Sequence, residues 1–303
     1  MKKVGVLAAT LAFTGALAGG VQARVIRPQA RGRATSTNPV TAYTQEFQSN
    51  KAGFCNGGPS ASKCDGAVND YGTIDRVPSR FSNGGSGNYA PFTKALVGNW
   101  MALTSGSQMP NEGQSCPQTT TEYCSGPYAL FTSGSTVGQD NVFPTGGFTV
   151  TDDLYLSPST ATPGQLVDDD VGMNDSSGNY GRDNVITACP ESSTYVINFG
   201  NSSPGSCTGT PVISADGWYR FVFIFSDVGG DAYVTEKVIQ EQNGSVVATS
   251  GRHPEEFPSS TGPTPISQWG GPSYFWLPTE DVSGMPLANV AVQLGQKSKG
   301  HTP

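Results

Sequence analysis

The chain has 303 residues, and its 39 Gly and 22 Pro make up about a fifth of it, against an ordinary share of roughly 12%. Aromatic residues reach 10%, which argues against disorder over most of the length, while a charged share of 14% against a usual ~25% argues against long salt-bridged helices. Two His leave little for a multi-His metal centre or a Ser-His-Asp triad, and a net charge of −7 gives no electrostatic footprint for nucleic acid.

Lys2 and Lys3 precede an uncharged apolar run from Val4 to Ala18, followed by Val21-Gln22-Ala23. These three parts predict a secretory signal peptide over residues 1–23 and a secreted or cell-surface chain. The run is short for an uncleaved anchor. No later apolar stretch approaches the ~20 residues of a membrane helix, so no transmembrane segment is expected after signal removal. Residues 24–38, polar and with four Arg, read as a flexible leader.

Ala42–Phe47 alternates and reads as a first strand. Residues 50–91, rich in Gly, Ser and Asn, read as long loops. Asn99–Leu103 and Tyr128–Thr132 are short strand candidates. Phe148–Leu156 puts Phe148, Val150, Leu154 and Leu156 on one face and Thr149, Thr151, Asp153 and Tyr155 on the other. Strands follow at Val185–Thr187 and Tyr195–Phe199. Trp218–Phe225 is dense enough in aromatic and β-branched residues for a strand buried on both faces. Asp227-Val-Gly-Gly-Asp231 then turns the chain into Ala232–Gln240, and Asn243-Gly244 marks a hairpin to Val246–Thr249. Tyr274–Leu277 and Val290–Leu294 complete the strand set, and residues 296–303 read as a polar tail. Short strands separated by turns describe an all-β fold, an antiparallel β-sandwich or barrel, forming a single domain over residues 39–295.

In an exported chain the six Cys read as disulfides. They fall in three sequence-local pairs, Cys55 with Cys64, Cys116 with Cys124, and Cys189 with Cys207. Loop closure favours these pairs among the connectivities that six Cys permit. Each such bridge adds about 2.5–3.5 kcal/mol on the chain-entropy argument. A metal-thiolate site lacks its C-x-x-C spacing.

Four segments carry a resemblance: Gly147-Phe148 with Asp153-Leu-Tyr-Leu156; Asn174-Asp-Ser-Ser-Gly-Asn179 leading to Arg182-Asp183; Asp216-Gly-Trp-Tyr-Arg-Phe-Val-Phe223; and Gly270-Gly-Pro-Ser-Tyr-Phe-Trp276 with Leu287-Ala-Asn-Val290. Over about half its length the chain resembles an uncharacterised family of exported bacterial proteins. Its strand order is similar to a concanavalin A-like or laminin-G-like jelly roll. The resemblance implies a jelly-roll sandwich in an extracellular setting, with Val290–Leu294 lying beside Tyr43–Phe47, and supplies no catalytic residues; with the Cys reading above, the expected fold is a disulfide-stapled sandwich. Jelly-roll glycosidases commonly carry Glu-x-Asp-x-x-Glu; among nine Glu here the only adjacent pair is Glu255-Glu256, in a Pro-flanked stretch.

Three groups of residues carry chemistry. Asp168-Asp169-Asp170 with Asp175 supply the hard oxygen ligands that suit Ca²⁺, which takes roughly 6–8 of them. The competing reading is a solvated acidic loop of Asx-turns. Tyr155, Arg182, Arg220 and Trp276 are candidate ligand-binding residues, as planar polar groups and aromatic platforms are what sugars require. Arg220 sits inside an apolar run, where an unpartnered charge is costly, and Glu236 on the neighbouring strand is its expected partner, as a glycan-site residue or a structural cross-strand pair. As an acid/base couple for glycan cleavage, Asp153 and Glu236 need a separation of about 5–9.5 Å. His253, between Arg252 and Pro254, reads as a loop residue. The leading expectation is a secreted sandwich that binds extracellular polysaccharide or cell-surface glycan without cleaving it. A polysaccharide hydrolase or lyase of the jelly-roll class and a structural surface or matrix protein are the alternatives.

Overall fold

The computed structural model describes residues 40–49, 54–55, 73–78, 96–105, 128–130, 142–163, 166–178, 180–201, 207, 210–257, 262–276 and 284–295. The expected signal peptide, the leader and the polar tail lie outside them. All described residues belong to one compact unit, Thr37–Pro303.

In chain order the strands are β1 (Val40–Gln45), β2 (Phe54–Cys55), β3 (Thr73–Pro78), β4 (Trp100–Ser105), β5 (Tyr128–Leu130), β6 (Phe148–Leu156), β7 (Val167–Asp175) and β8 (Tyr180–Glu191). They continue as β9 (Thr194–Asn201), β10 (Val212–Ile213), β11 (Gly217–Val228), β12 (Asp231–Gln240), β13 (Ser245–Pro254), β14 (Trp269–Trp276) and β15 (Met285–Leu294). A 3-10 turn, Ile266–Gln268, precedes β14. No helix among the described residues is long and apolar enough to cross a membrane.

Two antiparallel sheets pack as a sandwich. The first orders β13-β12-β11-β6-β15-β4-β3 with β1 also on β15, and the second orders β10-β9-β8-β7-β14-β5-β2. The last strand lies beside the first as expected, with Tyr43 opposite Val292 and Gln45 opposite Val290. Strand parity builds the core. Phe148, Val150, Leu154 and Leu156 of β6 meet Tyr219, Phe221, Phe223 and Phe225 of β11 on the inner face, and all are buried. Val167, Val171 and Met173 of β7, with Ile186 of β8 and Ile197 of β9, close the same core. The Phe148 and Phe225 rings stack with centroids 4.4 Å apart.

The β11–β12 hairpin turns on Gly229 and Gly230, at φ 68° and 96°, a conformation that costs a side chain dearly. Gly230 N–H also donates to Asp227 Oδ1 at 2.9 Å. At the β12–β13 hairpin only Gly244, and not Asn243, takes positive φ. The four residues 241–244 form a longer turn closed by Gly244 N–H on Gln240 C=O at 2.8 Å.

Two loop expectations are corrected. Residues 50–91 contain β2 and β3, and Ile74 and Val77 of β3 are buried. The acidic run 168–170 lies inside β7, an interior strand of its sheet, because Val167, Val171 and Met173 supply the alternating apolar face that its carboxylates obscure in the sequence. Cys189 and Cys207 form the expected disulfide, tying β8 to the segment that enters β10. Cys64, Cys116, Cys124 and the side chain of Cys55 lie outside the described residues.

Candidate functional site

Strand register separates residues that sequence reasoning grouped. Arg220 stands opposite Ile239 and Glu236 opposite Phe223, so in this alternation they occupy opposite faces of the same sheet. The expected Arg220–Glu236 pair is therefore absent. Arg220 instead grips Asp153 of β6, its register partner, with Nε 2.8 Å from Oδ1 and Nη2 3.0 Å from Oδ2. Glu241 lies 3.1 Å from the same Nε, and the Asn289 amide donates to Asp153 Oδ2. This outer-face network is satisfied from within. Tyr155 meets Trp218 beside it, edge to face at 5.6 Å.

The Asp153–Glu236 acid/base couple fails for the same reason. Asp153 faces outward and Glu236 inward, so the sheet stands between them and no single glycosidic bond can reach both. The four ligand-binding candidates do not converge either. Tyr155 and Arg220 share the outer face, Arg182 lies at the inner edge of the other sheet, and the side chain of Trp276 is outside the described residues.

The calcium candidates Asp168, Asp169, Asp170 and Asp175 lie on a strand, which sends their side chains to both faces of the sheet. Asp169 is wholly buried on the inner face, while Asp168 and Asp170 point the other way. Asp175 ends the strand and its Oδ1 accepts the Ser177 N–H at 2.8 Å, the Asx-turn of the competing reading. Among the described residues no group of three His, Cys, Asp or Glu side chains could hold a metal ion.

What the register assembles instead is a cleft at one edge of the sandwich, between β12–β13 of one sheet and β9–β10 of the other. A cavity of about 490 Å³ opens there, lined by Asn198, Phe199, Thr210, Glu236, Thr249, Ser250 and His253 among others. The size is that of a small-ligand site. Glu236 occupies the parity of Ala232, Val234 and Val238 on β12 and is completely buried. Its Oε2 lies 2.9 Å from His253 Nε2, and its Oε1 accepts no hydrogen bond from the described residues. Its backbone N–H donates to Ser250 Oγ at 2.9 Å. The Glu236 hydrogen bond holds the His253 imidazole above its usual range against the opposing effect of burial. A protonated His253 balances the Glu236 charge across this contact.

Glu255 lies behind this pair, 1% exposed, with its backbone fixed by Glu255 N–H on Ala232 C=O at 2.8 Å and Thr264 N–H on Glu255 C=O at 3.0 Å. Burial pushes its carboxyl up to about 8, and Arg182, 3.9 Å away at Nε, only partly offsets that. Arg182 spends another donor on the Glu256 carbonyl. At neutral pH the group thus holds a protonated Glu255 beside the hydrogen-bonded Glu236–His253 pair. The disulfide shapes the facing wall: Asn198 Nδ2 lies 3.9 Å from Cys189 Sγ, and Cys207 sits three residues before Thr210.

No protein-family model matches the chain, and no curated protein matches its sequence. The site therefore rests on its own geometry. Of its members, sequence reasoning singled out Glu236 and Arg182 in other roles and missed the function of His253 and Glu255. The available signal was Ala232-x-Val234-x-Glu236-x-Val238, a carboxylate in step with core residues.

Proposed function

We propose that this chain is a glycan-binding β-sandwich whose edge cleft holds a neutral, polyhydroxylated segment without cleaving it. The observation that carries this reading is Glu236, whose buried carboxyl in the cavity wall has one oxygen bonded to His253 and the other without a donor among the described residues. Such a group is costly unless a donor meets it, and a sugar hydroxyl is a donor of the right kind. Where His253 is protonated it balances the charge, and the cleft then makes no demand for a cationic ligand. Thr249, Ser250 and Asn198 add hydroxyls and an amide, and Phe199 adds a ring against which a pyranose face can pack. The separation of Asp153 from Glu236 by the sheet supports binding over cleavage. The leader and the disulfide support an extracellular setting.

The test is a glycan array with purified residues 24–303, run with and without calcium. Binding is expected in both conditions, and Glu236→Gln is expected to weaken it at least about tenfold, the worth of one lost charged hydrogen bond. A blank array, or unchanged binding by Glu236→Gln, would overturn the proposal. The nearness of a protonated Glu255 to the Glu236 carboxyl favours a second reading, a glycoside hydrolase with these two as acid and base. Reducing-end release from the bound glycans, lost in Glu236→Gln, would establish it instead.

A further inference from the structure

Asp152 of β6 and Asp169 of β7 belong to opposite sheets, and both point into the sandwich interior. They are 1% and 0% exposed. Their register neighbours are apolar and buried: Phe221 and Val290 flank Asp152, and Ile186 flanks Asp169. The two carboxyl groups lie within hydrogen-bonding reach of each other. Apart from the backbone N–H of Asp152 itself, no donor among the described residues hydrogen-bonds to any of their four oxygens. Two bare carboxylates facing each other in an apolar core would combine the desolvation cost of both charges with their mutual repulsion. One proton removes half the charge and turns the contact into a short hydrogen bond from a carboxyl O–H to a carboxylate.

We infer that Asp152 and Asp169 bind a single proton between them, forming a carboxyl–carboxylate clasp that joins the two sheets. The surrounding charges act in both directions. Asp153 repels Asp152 and Arg220 attracts it from the outer face of the first sheet, while Asp168 and Asp170 repel Asp169 along its own strand. Burial is the largest influence on each and favours holding the proton. The clasp is therefore a pH-sensitive fastening. An unfolded chain loses the proton at ordinary carboxylate pH, whereas the folded chain keeps it well above that, so the fastening weakens as the medium becomes alkaline.

The experiment is equilibrium urea unfolding of the full secreted chain and of Asp152→Asn and Asp169→Asn, from about pH 5 to about pH 8. An amide in either position donates an N–H to the remaining carboxylate, so the variants need no proton. One proton held only by the folded state changes the unfolding constant about tenfold per pH unit. The ratio of wild-type to variant unfolding constants is thus expected to rise about tenfold per unit. Glu255 and His253 titrate in all three proteins, and their contributions cancel in the ratio. A ratio independent of pH overturns the clasp. Should neither variant fold, infrared spectroscopy of Glu255→Gln at neutral pH decides: a protonated-carboxyl carbonyl band is expected, and its absence overturns the proposal. Calcium that stabilises the wild type but not Asp152→Asn would also overturn it, by placing a metal at the same oxygens.

Discussion

Glu255→Gln isolates the most perturbed accessible titration at the cleft. The carboxyl is 1% exposed and its backbone is held on both sides, so it cannot swing into water when it ionises. Burial raises it from 4.5 to about 8. The sign follows directly. A carboxyl raised in the folded state contributes stability that is fully present below its unfolded value and is lost as pH climbs through the folded one. The window therefore runs from about pH 4.5 to about pH 8. At about 1.4 kcal/mol per pH unit, ionising Glu255 costs the fold on the order of 5 kcal/mol. That is a large part of the ~5–15 kcal/mol that holds an ordinary domain together. Glutamine keeps the volume and the capacity for hydrogen bonds but has no charge to acquire. Urea midpoints of the two proteins, measured at half-unit steps of pH, should diverge steadily, with the wild type losing ground to Glu255→Gln as pH rises. The Asp152–Asp169 pair is common to both proteins and leaves the difference unaffected. Parallel profiles would refute the reasoning, because they would mean that Arg182, together with a hydrogen bond from the Asn184 side chain, keeps Glu255 ionised throughout.

Two further perturbations test other parts of the construction. Arg220→Met strips Asp153, completely buried, of its bidentate partner and leaves Asn289 as its donor. Because the Arg220 side chain is 38% exposed, we expect the low end of the range for breaking such a pair, about 3 kcal/mol in chemical denaturation, with most of it regained in Arg220→Met/Asp153→Leu. Replacing Cys189 and Cys207 together by Ser opens a loop with a sequence separation of 18 and should cost about 3 kcal/mol, while glycan affinity falls as the β9–β10 wall loosens.

The fold was legible where period-two alternation ran cleanly. Phe148–Leu156, Trp218–Phe225 and Ala232–Gln240 are strands in the structure close to the limits that their patterns set. β7 was hidden because three consecutive Asp occupy both faces of one strand, and composition alone makes such a run look like a loop. β3 was hidden in the same way by Asp75, Arg76 and Pro78. The site was less legible than the fold. Arg220 and Glu236 are neighbours on adjacent strands, yet one residue of register decides whether two side chains share a face, and the sequence does not contain that register. His253 was obscured by its flanking Arg252 and Pro254, which made a strand end look like a loop.

The inward-facing carboxylates break the same rule and meet different fates, and access to solvent is what separates them. Asp152, Asp169 and Glu236 each replace one member of an alternating apolar set: Phe148-Val150-Asp152-Leu154, Val167-Asp169-Val171 and Ala232-Val234-Glu236-Val238. Local pattern and buried charge conflict at all three, and such conflicts concentrate at functional or strained positions. In the middle of the core Asp152 and Asp169 face each other from opposite sheets, and each is the other's polar partner. At the edge, where β12 and β13 face β9 and β10 across an open cavity, Glu236 has both a charged partner in His253 and room for a ligand. A donor arriving from solvent completes its bonding, which a proton clasp could not do without expelling His253. On the two proposals made above, identical sequence signals become a structural fastening in one place and a recognition site in the other.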